Sequence, residues 1–143
     1  MNKPKVIVTR RWPARVEKRL SELFNVVLNL DDCPLGLPEL RHAMQTADAV
    51  LPTVSDPITS EVLNVQPRRA QIIASFGVGF NHIDLDAAKA AGLTVTNTPD
   101  VLTDCTADLA MTLILSLARR TGEGERHVRN RSWDCLLYTS DAA

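Results

Sequence analysis

The stretch QIIASFGVGFNHIDLDAAKAAGLTVTNTP, residues 71–99, decides how the fold is read. Gln71 to Phe76 is a short apolar run of strand type, and Gly77-Val78-Gly79 breaks it. Asp84 is a good side-chain cap for a helix from Leu85 to Ala91. Gly92 stands where a left-handed residue closes a helix. Leu93 to Thr96 is a second strand, stopped by Pro99. A strand, a turn, a helix and a strand in this order make a βαβ unit, whose strands run parallel.

The same alternation extends toward the start of the chain. Val6-Ile7-Val8, Val26-Val27-Leu28 and Ala49-Val50-Leu51 read as three more strands. Val16, Leu20, Leu23 and Phe24 recur at helical spacing. Pro38 opens a helix carrying Leu40, Ala43, Met44 and Ala47. Asp31 to Leu37, with Pro34 and Gly36, is loop, Asp56-Pro57 is a turn, and Thr59 caps a short helix through Leu63. Five strands alternating with helices predict an α/β fold, a parallel sheet with helices on both faces and right-handed crossovers.

Composition bounds the function. The 143 residues are 45% hydrophobic and 23% charged, enough for a real core. Sixteen Lys and Arg against 17 Asp and Glu leave a net charge of −1, which argues against nucleic-acid partners and a polybasic membrane anchor. Aromatic residues are 4%, too few for a base-stacking surface. No stretch has the apolar length of a bilayer span, and MNKPKVIV does not read as a signal peptide. Cys33, Cys105 and Cys135 are widely spaced, suit neither a disulfide framework nor a zinc site, and point to a reducing cytoplasm.

Asp104 to Arg119 differs in kind. Polar residues fall at Asp104, Asp108, Thr112 and Ser116, and nearly everything between is apolar. Such a helix should be buried on most of its circumference, either packed between two bodies or as a core helix of its own domain. Thr121 to Arg131 is polar; Arg126, Arg129 and Arg131 could bind phosphate, but the alternation with Glu123 and Glu125 reads as a solvated helix face.

Gly77 to Asp84 is the candidate chemistry. Glycines on either side of Val78 allow a sharp turn that exposes consecutive backbone N–H groups, which attract anions. In an open parallel sheet, ligands sit beyond the carboxyl ends of the strands, where this loop falls. A small carboxylate is a sensible ligand, and a plain tight turn is the competing reading. A dinucleotide fingerprint is excluded here, because the third glycine of G-x-G-x-x-G would fall at His82.

Together with VTRRWP near the start, three longer patterns carry a resemblance. They are G-x-G-x-N-x-I-D at Gly77 to Asp84, A-x-x-x-G-L-x-V-x-N-T-P at Ala88 to Pro99, and T-A-x-x-A from Thr106. Over Lys3 to Trp133 the sequence resembles the N-terminal part of the D-isomer-specific 2-hydroxyacid dehydrogenases, in particular the glyoxylate/hydroxypyruvate reductase branch. The resemblance implies a flavodoxin-like substrate domain over residues 1–100. It implies a hinge helix and the start of an NAD(P)-binding domain over 101–133. It places the substrate carboxylate on the backbone at Val78 and Gly79, with Gly77 shaping the turn, and brings Thr106 toward the cofactor, NAD or NADP. It implies hydride transfer interconverting a small 2-oxo acid and its D-2-hydroxy acid, and a homodimer for the full-length protein.

The family's catalytic Arg, Glu and His lie beyond the part that this chain matches, so no catalytic residue is assigned and the chain alone is expected to be inactive. His42 reads as a solvated helix residue, His82 as a local turn residue and His127 as part of the Arg-rich helix. Cys105 reads as a small buried hydrophobe, and Cys33 lacks a base nearby in sequence. Residues 134–143 are expected to be an artefactual tail, since from Cys135 they resemble a translated sequencing adapter. Two other classes fit the pattern less closely. One is a receiver-like flavodoxin-like binding or regulatory module, whose acidic pair is missing at Thr9-Arg10-Arg11. The other is a corepressor-like scaffold.

Overall fold

The structure is a computed structural model and describes residues 3–133. The expected tail, Cys135 included, lies outside the described residues. The chain divides into two compact units, Met1–Pro99 and Asp100–Ala143.

The first unit is a five-stranded parallel sheet in the order β2-β1-β3-β4-β5. The strands are β1 (Lys5–Val8), β2 (Asn25–Val27), β3 (Ala49–Leu51), β4 (Ile72–Ala74) and β5 (Thr94–Thr96), joined by α1 (Ala14–Leu23), α2 (Leu37–Thr46), α3 (Ser60–Leu63) and α4 (Leu85–Ala90). This bears out the expected flavodoxin-like α/β class. Strand bounds are tighter than the apolar runs suggest; β4 keeps only the centre of Gln71 to Phe76.

Alternate side chains of each strand point to opposite faces. Ile7, Val50 and Ile73 face α2, α3 and α4 and join Leu40, Met44, Val62, Leu63 and Ala88 in the main core. Val6, Val8 and Leu51 face the other way, against Leu20, Phe24 and Trp12. The register pairs Ala49 with Ile72 and Ile72 with Thr94, so the second face continues across β4 and β5. There Ile72 is 42% exposed, while Ile73 beside it is fully buried.

Local rules built the ends of α4. The Asp84 carboxylate accepts the Ala87 N–H at 2.9 Å, and Gly92 follows at φ 67°. Thr59 departs from expectation. It stands at the N-cap position of α3, yet its hydroxyl makes no capping hydrogen bond, and Glu61 supplies the acidic residue of the first turn instead.

The second unit contains α5 (Thr103–Ala118) and α6 (Thr121–Arg129). Within this chain α5 is not covered: Leu113, Ile114, Leu115 and Leu117 are 55–80% exposed, against the reading of α5 as a core helix of its own domain. Its companion α6 is short and charged, with Arg120 on Glu123 and Arg129 on Glu125 in surface pairs. That pairing fits the solvated-face reading of the arginines. Cys105, expected to be buried, is exposed, with its thiol directed to the Leu102 carbonyl. No helix among the described residues is long and apolar enough to cross a membrane.

Candidate functional site

The loop from Phe76 to Ile83 leaves the carboxyl end of β4 and is held from two sides. On the β3 side, Phe76 N–H donates to the Pro52 carbonyl at 2.8 Å. Farther along, Ile58 N–H donates to His82 O at 2.9 Å and Asp84 N–H to Ile58 O at 3.0 Å. On the β5 side, Thr98 N–H donates to Gly77 O at 3.0 Å and the Asn97 side-chain amide to Val78 O at 2.8 Å. Within the loop, Ile83 N–H donates to Phe80 O at 3.0 Å.

The carbonyls of Gly77, Val78, Phe80 and His82 are therefore all engaged. The N–H groups of residues 77–82 have no partner among the described residues. A loop whose acceptors are turned inward and whose donors are left open presents positive potential at its surface. That polarity suits an anion.

The two glycines serve different ends. Neither has the left-handed backbone expected of a turn glycine; among the glycines only Gly92 has positive φ. A Cβ at Gly77 would lie 2.7 Å from Val54 Cγ1, so Gly77 is small because the β3–α3 loop presses on it. A Cβ at Gly79 would meet nothing within 4 Å. The chain does bend at Gly77 and Val78, as the turn reading expects, without left-handed backbone. Close approach to Val54 adds a second reason for glycine at 77, and Gly79 faces open space.

A buried polar group supports the loop's neighbour. Asp56 is 1% exposed, and its carboxylate accepts the Thr9 hydroxyl at 2.6 Å, the Thr53 N–H at 2.7 Å and the Thr53 hydroxyl at 3.1 Å. These bonds hold the segment that carries Val54. His82 Nε2 lies 3.1 Å from Ser75 Oγ, which closes the loop back onto its own strand. Burial pushes the His82 pKa below 6.5, and the Asp56 charge partly offsets the shift. Trp12 packs on Phe76 at the loop's root, with ring centroids 4.9 Å apart.

The structure brings Gly77, Val78 and Gly79 together on one exposed loop edge. Thr106 belongs to the other unit, in the first turn of α5, where its N–H donates to Leu102 O at 3.0 Å. His42 is exposed, in keeping with its reading, and Cys33 is exposed in its loop. No cluster of three or more metal-ligating side chains occurs among the described residues. Val54 and Ser75 were not singled out from sequence, Asp56 was read only as a turn residue, and Asn97 only as part of the N-T-P pattern that ends at Pro99.

A dinucleotide does not fit the loop. The N-terminus of α4 that follows it is already occupied by the Asp84 carboxylate, with Asp86 in the first turn. A pyrophosphate there would meet two negative charges in place of free N–H groups.

Residues 6–143 match the family model for the D-isomer specific 2-hydroxyacid dehydrogenase catalytic domain. A glycerate dehydrogenase from Hyphomicrobium methylovorum is 38% identical over 133 residues, 93% of this chain and 41% of that protein. A glyoxylate reductase from Thermococcus onnurineus is 39% identical over 131 residues, 92% of this chain and 39% of that one. The crystal structure of an NADPH-dependent glyoxylate/hydroxypyruvate reductase from Sinorhizobium meliloti, in complex with NADP and malonate, superposes with a TM-score of 0.74. It is 30% identical, and the match covers 92% of this chain and 40% of that one. The chain thus spans about two fifths of the length of these relatives. With the sheet order, the glycine loop and the sequence match in agreement, the chain belongs to the D-isomer specific 2-hydroxyacid dehydrogenase family.

Proposed function

We propose that this chain is the acid-binding portion of an NAD(P)-dependent oxidoreductase that interconverts a small 2-oxo acid, of the glyoxylate or hydroxypyruvate type, and its D-2-hydroxy acid. The observation that carries the reading is the polarity of the glycine loop. Carbonyls are tied back, and the N–H groups of Val78 and Gly79 are open at the sheet's carboxyl edge. A carboxylate held by two N–H groups leaves the adjacent C2 carbonyl in a defined position, which is what hydride transfer to that carbon requires. The malonate complex of the Sinorhizobium relative supports a carboxylate ligand, and its NADP supports the cofactor class.

In this reading residues 1–100 are the substrate domain and 101–133 the hinge helix and the start of the cofactor domain. The division of the chain at Pro99 and Asp100 supports that assignment. Thr106 would approach the cofactor, whose phosphates are bound elsewhere in the protein, since the α4 N-terminus is taken by Asp84. The exposed apolar side chains of α5 support a homodimer of the full-length protein. The regulatory-module and scaffold readings are set aside, because the similar proteins described above are a glycerate dehydrogenase and glyoxylate reductases.

The test is turnover. The full-length protein should oxidise NADH or NADPH with glyoxylate or hydroxypyruvate, and the 143-residue chain alone should stay at background. No turnover by the full-length protein, or turnover by this chain alone, overturns the proposal.

A further inference from the structure

We infer that Asn97 is a positioning residue that aims the Gly79 N–H at the ligand; this rests on the carboxylate reading of the loop. In a trans peptide the C=O and the following N–H lie in one plane and point in opposite directions. The Val78 carbonyl shares its plane with the Gly79 N–H, and the Gly77 carbonyl shares its plane with the Val78 N–H. Whatever holds those two carbonyls therefore fixes the direction of the two donors.

Both carbonyls are held from the segment after β5. Thr98 N–H takes Gly77 O at 3.0 Å, and the Asn97 amide takes Val78 O at 2.8 Å. A carbonyl can only accept, so the Asn97 nitrogen must face it and the amide orientation is settled by chemistry. The two contacts differ in kind. Thr98 uses main chain, which any residue but proline provides. Asn97 uses a side chain, and only its amide supplies the donor that turns the Val78–Gly79 plane.

A Cβ at Gly79 would meet nothing within 4 Å, so no side chain packs on that side of the residue. Without Asn97 the Val78 carbonyl loses its hydrogen bond, and the carbonyl, an anion-repelling group, can swing toward the ligand. The expected signature is weaker binding of the acid with little loss of fold stability, since Asn97 is part-exposed and outside the core.

The experiment uses the isotopically labelled 143-residue chain carrying Leu113→Lys and Leu117→Lys, which keep it monomeric, as the parent, and the same chain with Asn97→Ala as the variant. Sodium glyoxylate is the probe, and sodium chloride at matched ionic strength is the control. Residual dipolar couplings report the direction of the Gly79 N–H without ligand. Glyoxylate titration reports affinity from the Val78 and Gly79 amide shifts, and thermal unfolding reports the fold. In the variant the Gly79 coupling should change and glyoxylate affinity should fall at least about tenfold, with Tm within a few degrees of the parent. An unchanged Gly79 coupling, or an unchanged affinity, overturns the inference alone. Glyoxylate that shifts no loop amide of the parent chain overturns the carboxylate reading, and the inference with it.

Discussion

Gly77 and Gly79 look equivalent in the sequence, one on each side of Val78, and the structure gives them unequal roles. At Gly77 an added methyl would be driven into Val54 Cγ1; the buried Asp56 holds the adjacent Thr53 backbone in place, so the clash has to be relieved by turning the 59%-exposed Val54 side chain. Overpacking of that sort costs about 1–3 kcal/mol. At Gly79 the same methyl enters open space. Gly77→Ala should therefore lower unfolding stability by about 1–3 kcal/mol in urea melts, and Gly79→Ala should change it by less than about 1 kcal/mol. Equal losses would show that Val54 can step aside. Both glycines and the bend at 77–78 were legible in the sequence; the Val54 contact at Gly77 was not, because it comes from a side chain far away in the chain. Asn97 stands in the N-T-P pattern, but its role stayed hidden on the same grounds: its partner is a carbonyl across a loop, which that pattern does not reveal.

At the scale of the element, what was legible is what is settled within a few residues. The ends of α4 follow from Asp84 and Gly92, and both behave as the rules of capping require. The strands follow from β-branched runs. The glycine loop is an element too, and its closure by His82 on Ser75 gives it a pH dependence. His82 is partly buried and its pKa lies below 6.5, so the folded chain holds that proton less tightly than the unfolded chain does. The neutral form contributes its full stability above pH 6.5, and the contribution is lost as pH falls through the folded pKa. Asp32 and Asp48, held below the ordinary carboxylate range by Arg10 and Arg69, titrate in a separate and more acidic window. Urea midpoints between about pH 5 and 7 should decline toward acid in the parent chain, and His82→Gln should flatten that decline. An unchanged slope in the variant would exclude His82 as the group responsible.

For the whole molecule, the apolar pattern of α5 reports an environment wider than this chain. Leu109, Met111, Leu113, Ile114, Leu115 and Leu117 are all more than half exposed, on a helix whose sequence reads as buried. Hydrophobic patterning records what covers a helix in its complete protein, whether that cover is another domain or another subunit. The fold of residues 3–99 was legible because its core is formed by its own strands and helices. The surroundings of α5 were not, because periodicity does not say which body supplies the cover. So many large apolar side chains in water favour association, at roughly 25 cal/mol for each Å² covered. The chain should sediment as a concentration-dependent mixture of monomer and larger species at tens of micromolar. Replacing Leu113 and Leu117 with Lys should return it to monomer without altering the far-ultraviolet spectrum. A parent chain that stays monomeric at several hundred micromolar would show that α5 is satisfied as it stands, and the homodimer reading would lose its structural support.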